Sequence, residues 1–174
     1  GALDAEAIVA VGEEAWPQPQ NIDEMLEALM SLSCIGGAEA GTRPDWMKWL
    51  ENLARSGRAT RLQVNADQAL WIAIERLTCL RAIYPQAEIH PPLEALQDFD
   101  EAWDRDEAIV EVVRARLSGF GPLPVAEIAQ PLALSASSIA QALARLESEG
   151  YVLRGRFSPG ASEDQWCERH LLAR

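Results

Sequence analysis

One recurrence constrains this chain more than any other feature. The segment Trp49-Leu50-Glu51-Asn52-Leu53-Ala54-Arg55-Ser56-Gly57-Arg58-Ala59-Thr60-Arg61 aligns without gaps with Ala142-Leu143-Ala144-Arg145-Leu146-Glu147-Ser148-Glu149-Gly150-Tyr151-Val152-Leu153-Arg154. Each copy carries Leu-x-x-Leu, a glycine four residues on, then a β-type run with an arginine four residues past the glycine. Helical spacing ending at a glycine is a helix with a left-handed stop, and the run after it is a strand. Two related units are therefore expected in tandem.

The second copy is the clearer. Ile109, Val110, Val113 and Leu117 recur at helical spacing after Asp106 and Glu107, acids that suit a helix N-terminus. Gly119 and Gly121-Pro122 stop that helix, and Pro124 opens a short one carrying Val125, Ile128 and Ala129. Ser135 is a good cap for a third helix with Ile139, Leu143 and Leu146 on its inner face. The strand run Tyr151–Phe157 follows. Three helices and a hairpin form the winged-helix pattern, whose third helix usually enters the major groove.

The first copy has the same theme. Helices are expected over Ala5–Ala15 (Ile8, Val9, Val11), Asp23–Ser33 (Met25, Leu26, Leu29, Met30) and Pro44–Ser56 (Trp46, Trp49, Leu50, Leu53), with a loop at Cys34-Ile35-Gly36-Gly37. Arg58–Val64 and Leu70–Ile74, joined by Asn65-Ala66-Asp67-Gln68, read as a hairpin. The expected fold class is mainly α with small β-hairpins (α+β), as tandem winged-helix-like units. A first unit covers 1–84, a linker with the stiff prolines Pro85, Pro91 and Pro92 covers 85–105, and a second unit covers 106–174, ending in the start of a cut helix. The chain opens Gly1-Ala2 without Met and stops inside that helix, so a piece of a larger protein is expected.

The net charge of −12 opposes stand-alone nucleic-acid binding, which is largely electrostatic. Its distribution is uneven. Residues 1–40 carry eight acids and no base, whereas Arg43, Lys48, Arg55, Arg58 and Arg61 cluster against Asp45 and Glu51, and Arg154 and Arg156 recur at the equivalent place. Arg58, Arg61, Arg154 and Arg156 are therefore candidate phosphate contacts, the alternative being solvated edge strands guarded by charge. Among the six tryptophans, Trp46 and Trp49 share a helical face with Leu50 and Leu53 and read as core. Trp71 alternates with Ile72 and Ile74. If the isoleucines are core, Trp71 lies on the outer face of the wing, free to stack on a base or to pack on a neighbouring domain. No pattern decides Trp16 or Trp103.

Catalytic signatures are absent: there is no GxxxxGK[ST] and no GxSxG, and Cys34, Cys79 and Cys167 are isolated and read as reduced thiols in a cytoplasmic protein. His90 and His170 read as linker and surface residues. Asp98 and Asp100 read as a solvated face rather than a glycosidase pair. No membrane segment or signal peptide is present in the sequence.

The C-terminal run Gly155-Arg156-Phe157-Ser158-Pro159-Gly160, then Trp166-Cys167-Glu168-Arg169-His170-Leu171-Leu172-Ala173-Arg174, resembles the large helicase-related (Lhr) family of superfamily 2 helicases, as do Gly57-Arg58-Ala59 and Leu70-Trp71. The resemblance implies a non-catalytic accessory region downstream of ATPase motor domains. It implies single-stranded DNA or a DNA/RNA hybrid as a partner bound weakly by this piece alone, docking to the motor domains of the same chain, and no cofactor here. ATP, magnesium, 3′-to-5′ unwinding and a DNA-repair role would belong to the parent. It also implies that a tryptophan stacks on the tracking strand, a role that falls to Trp71 by its hairpin position. Two other readings stay open. One is a protein-interaction module with an exposed apolar patch at Trp166, Leu171 and Leu172. The other is a DNA glycosylase-like tandem with Asp67 or Glu75 in a pocket.

Overall fold

The structure, a computed structural model, describes residues 4–173. Along the chain run α1 (Ala5–Ala15), α2 (Ile22–Leu32), β1 (Ile35–Gly36), α3 (Gly37–Ala40), α4 (Pro44–Arg55), β2 (Ala59–Gln63) and β3 (Ala69–Ala73). Next come α5 (Leu77–Ile83), β4 (Glu88–His90), α6 (Arg105–Leu117), α7 (Val125–Ala129), α8 (Ala136–Ser148), β5 (Val152–Gly155), β6 (Gln165–Glu168) and α9 (Arg169–Leu172). The class is α+β, with small antiparallel sheets. The chain divides into two units, one of residues 18–108 and one of residues 1–17 with 109–174.

In the unit 18–108, Asn21 caps α2 by accepting from the Glu24 N–H at 2.9 Å. The face Met25, Ala28, Leu29 and Leu32 is buried; of the residues the spacing selected, Met25 and Leu29 point inward while Leu26 and Met30 are half-buried. Pro44 starts α4, and Trp46, Leu50 and Leu53 fill its inner face. The sheet order is β1-β3-β2-β4, all antiparallel. Two features differ from the sequence reading. The stretch Cys34–Gly37, expected as a loop, contributes β1 and opens α3. The stretch expected as linker holds β4, which gives β2 a ladder partner on its outer edge.

In the other unit, the buried residues Ile109, Val110, Val113 and Leu117 are those the spacing selected. Ser135 caps α8, accepting from the Ser138 N–H at 3.1 Å, and Ile139, Ala142, Leu143 and Leu146 are buried. β5 pairs with β6, and a single bridge joins Leu123 to Trp166. Helix α1 groups here rather than at the head of the first unit. Its Trp16 ring lies 5.0 Å from Phe120, and the Gly12 and Gly121 backbones meet so closely that a Cβ on Gly121 would stand 3.4 Å from the Gly12 nitrogen. No residue of α1 is buried, and Val9, expected on its apolar face, is exposed.

The order helix, strand or bridge, short helix, long helix, hairpin thus occurs in both units: α2-β1-α3-α4-β2-β3 and α6-Leu123-α7-α8-β5-β6. The recurrent segment forms one local structure in each. Gly57 and Gly150 both take φ of 78°. The N–H of Arg58 reaches back to the Leu53 carbonyl and that of Tyr151 to the Leu146 carbonyl, both at 2.9 Å. This is the left-handed helix stop, which glycine adopts without a Cβ penalty.

Candidate nucleic-acid interface

Strand β2 carries Arg61 at its centre. Its partner across the ladder on β3 is Trp71, and on β4 it is His90; Trp71 in turn stands opposite Ile35 of β1. Residues directly opposite in antiparallel strands project from the same face, so Ile35, Trp71, Arg61 and His90 form one row across the sheet. The Arg61 guanidinium lies over the Trp71 ring, its central carbon 5.6 Å from the ring centroid. This cation–π contact also fixes the arginine rotamer.

Sequence alternation placed Trp71 on an outer face. The structure corrects this: Leu70, Trp71, Ile72 and Ala73 are all buried, with Trp71 only 4% exposed. β3 lies between β1 and β2 in the sheet and is covered on both faces, so alternation along it does not separate wet from dry. A ring this buried offers no free face to a base. Among the described residues, two polar atoms here have no hydrogen-bond partner: the Nε of Arg61 and the Nε1 of Trp71, both buried N–H donors. Among the described residues no carboxylate forms an ion pair with Arg61. His90 is held instead by Glu88, Nε2 to Oε2 at 3.3 Å, and is exposed. Arg58, at the mouth of the strand, is exposed, and its carbonyl accepts from the Ile74 N–H at 3.0 Å.

The other unit repeats the pair with different surroundings. Arg154 of β5 stands opposite Trp166 of β6, its guanidinium carbon 5.5 Å from the ring centroid. Acids flank it: Glu147 at 3.8 Å and Asp164 at 3.9 Å. Arg156, one residue past β5, faces the same Asp164 at 3.6 Å. These arginines are more than half exposed, so the pairs are worth only about 0–1 kcal/mol each and a phosphate can compete for them. Trp166 escaped the repeat alignment because the two hairpin loops differ in length, which breaks the register beyond the arginine. His90 escaped because its strand was read as linker.

The remaining candidates scatter. Asp67 lies at the exposed hairpin turn, its N–H donating to the Asn65 Oδ1 at 2.8 Å, and Glu75 sits in the turn after β3. Neither lines the cavity of about 410 Å³ formed by Thr78, Arg81, Glu94, Ala95 and Asp100. Asp100, Glu94 and Arg81, all exposed, share that open depression, which Asp98 does not line. The His170 Nδ1–H donates to the Glu168 carboxylate at 2.6 Å, and that carboxylate also caps α9. The apolar patch expected at Trp166, Leu171 and Leu172 is not exposed: Trp166 and Leu171 are buried and Leu172 is half-buried. Among the described residues the exposed large apolar side chains are instead Val9, Leu153 and the run Leu96, Phe99 and Trp103, the last three interleaved with Asp98, Asp100, Glu101 and Asp104.

All three cysteines are buried, and none is in a disulfide. Burial, helped by the Glu168 charge, pushes the Cys167 thiol up to about 12. Burial likewise raises the Tyr151 phenol, whose hydroxyl donates to the Arg114 carbonyl at 3.0 Å. Among the described residues no group of His, Cys, Asp and Glu has the arrangement of a metal site, and no helix is long and apolar enough to cross a membrane.

A family model described as DNA glycosylase AlkZ-like matches residues 19–170 of the chain. A relative named "Lhr helicase/ probable uracil glycosylase", from Mycolicibacterium smegmatis, is 23% identical over 160 residues. That alignment covers 92% of this chain and 10% of the relative, so the chain spans about a tenth of that protein's length.

Proposed function

This chain belongs to the DNA glycosylase AlkZ-like family, and from that premise we propose that it is a DNA-contacting accessory domain with no catalytic centre of its own. The observation that carries the reading is Arg61: a half-buried guanidinium, ordered on Trp71 and free of any carboxylate partner, in a chain of net charge −12. A charge left uncompensated inside an acidic protein suits an anionic ligand better than it suits stability. The order of elements in both units supports a tandem winged-helix architecture, the expected scaffold for such contacts. The name of the mycobacterial relative, which includes the words "Lhr helicase", supports placement of such a domain within a helicase.

Binding by the isolated chain is weak, because few phosphates are met and the surface charge repels. Fluorescence anisotropy of a labelled single-stranded oligonucleotide at two salt concentrations tests this. Charge reversal at Arg58, Arg61, Arg154 and Arg156 together weakens binding and flattens its salt dependence. Unchanged binding in that variant sinks the proposal.

A second reading is base excision, favoured by the family description and by the words "probable uracil glycosylase" in the relative's name. Here the cavity with Glu94, Asp100 and Arg81 is the place to look, since a flipped base is gripped in a pocket with a carboxylate at hand. Release of uracil or an alkylated base from DNA, lost in Asp100→Asn, would favour this reading over the first.

A further inference from the structure

We propose that the Nε–H of Arg61 and the Nε1–H of Trp71 together form a donor site for one oxyanion, a phosphate. The inference rests on the nucleic-acid reading above for the source of that phosphate, but its chemistry stands on the site. Both atoms are buried N–H donors with no acceptor among the described residues, and they belong to side chains in contact, guanidinium over indole. A buried donor without an acceptor is costly, and here two such donors sit on adjoining side chains, so one bound oxyanion is the simplest acceptor for both. Arg61 is half-buried and supplies the positive charge that an oxyanion needs. The indole fixes the guanidinium in place, so little side-chain entropy is lost when the anion arrives. His90, the next residue along the row, borders the site, and Glu88 is engaged with it.

The duplicate pair argues for the assignment by contrast. Arg154 lies over Trp166 at a similar separation, 5.5 Å, but it is exposed and Glu147 and Asp164 compensate its charge, and among the described residues Trp166 has no buried donor lacking a partner. The repeat built the pair twice and left its charge open once. In this reading Trp71 acts through the edge of its ring, as a hydrogen-bond donor, and not through its face as a stacking platform.

The test is a proton–nitrogen correlation spectrum of the tryptophan indoles in the full chain, with the Trp71 resonance assigned by its loss in Trp71→Phe. Three probes are titrated: inorganic phosphate, a thymidine oligonucleotide, and the same oligonucleotide with an uncharged methylphosphonate backbone. The expected result is a saturable shift of the Trp71 indole with the first two probes and not with the third, while the Trp166 indole stays put. Arg61→Gln is expected to weaken that response about tenfold and to lower the salt slope of oligonucleotide binding by about 0.7, the share of one single-strand phosphate.

A response to phosphate without one to the oligonucleotide keeps the oxyanion site and removes the nucleic-acid reading. An equal response to the methylphosphonate strand overturns the oxyanion site, as does a Trp71 resonance that ignores every probe. If Arg61→Gln does not fold, the wild-type titrations decide by themselves, and Arg61→Lys, which keeps charge but loses the Nε donor, must bind more weakly.

Discussion

Replacing Gly57 by alanine isolates one physical term. The residue sits at φ of 78°, and a Cβ built there meets nothing within 4 Å. No clash and no lost contact contributes, so the cost is conformational. The left-handed region costs an L-residue about 1–2 kcal/mol. Stiffening of the unfolded chain by the new methyl returns part of that, about 0.4–1 kcal/mol. Gly57→Ala is therefore expected to destabilise by ~1 kcal/mol, and a unit of this size then melts roughly 4–8 °C lower. Gly150 has the same φ, and its Cβ would meet only the flexible end of Arg169 at 3.5 Å, so Gly150→Ala should cost the same. Urea and thermal unfolding followed by circular dichroism measure both. Asparagine, which tolerates the left-handed region, should recover a good part of the loss at either position. Equal loss in Gly57→Ala and Gly57→Asn would refute the argument, because the left-handed backbone would then not be the cause. Clearly unequal losses at Gly57 and Gly150 would break the equivalence of the two corners.

Other expectations follow from the same structure. The Cys167 thiol, raised from near 9 to about 12, should resist thiol reagents at pH 8 until the protein unfolds; rapid labelling of Cys167 in the native chain would count against its burial. Because its folded-state value lies above the unfolded one, its contribution to stability is present below pH 9 and is lost as pH rises toward 12. Cys167→Ala should flatten that alkaline decline in urea midpoints. Arg114 holds the Glu149 carboxyl below its ordinary value by a hydrogen bond of 2.7 Å, so that pair helps above the usual carboxylate range and fades as pH falls; Arg114→Ala should reduce the acid sensitivity of unfolding. Ser135→Ala removes the α8 cap and should cost ~1 kcal/mol, read as a lower urea midpoint with unchanged slope.

Several parts of this protein were legible from the sequence because they are local. The apolar faces of α2, α4, α6 and α8, the Ser135 cap, the helix start at Pro44, and the glycine stops at Gly57 and Gly150 depend on spacings of a few residues. Helical period and backbone sterics act at that range, and a repeat shows them twice. Tertiary structure decided what depends on distant partners. It grouped α1 with residues 109–174, because Gly12 and Trp16 find a surface at Phe120 and Gly121. It drew Glu88–His90 onto the open edge of β2, where an unpaired ladder needs acceptors and donors. Above all it set β3 between two strands and buried Trp71, which a period of two along one strand cannot reveal. Strand order and the covering of a sheet face are non-local: each is chosen by the free energy of burying surfaces far apart in the chain. The Arg61–Trp71 pair, with its two unanswered donors, exists only because that choice was made.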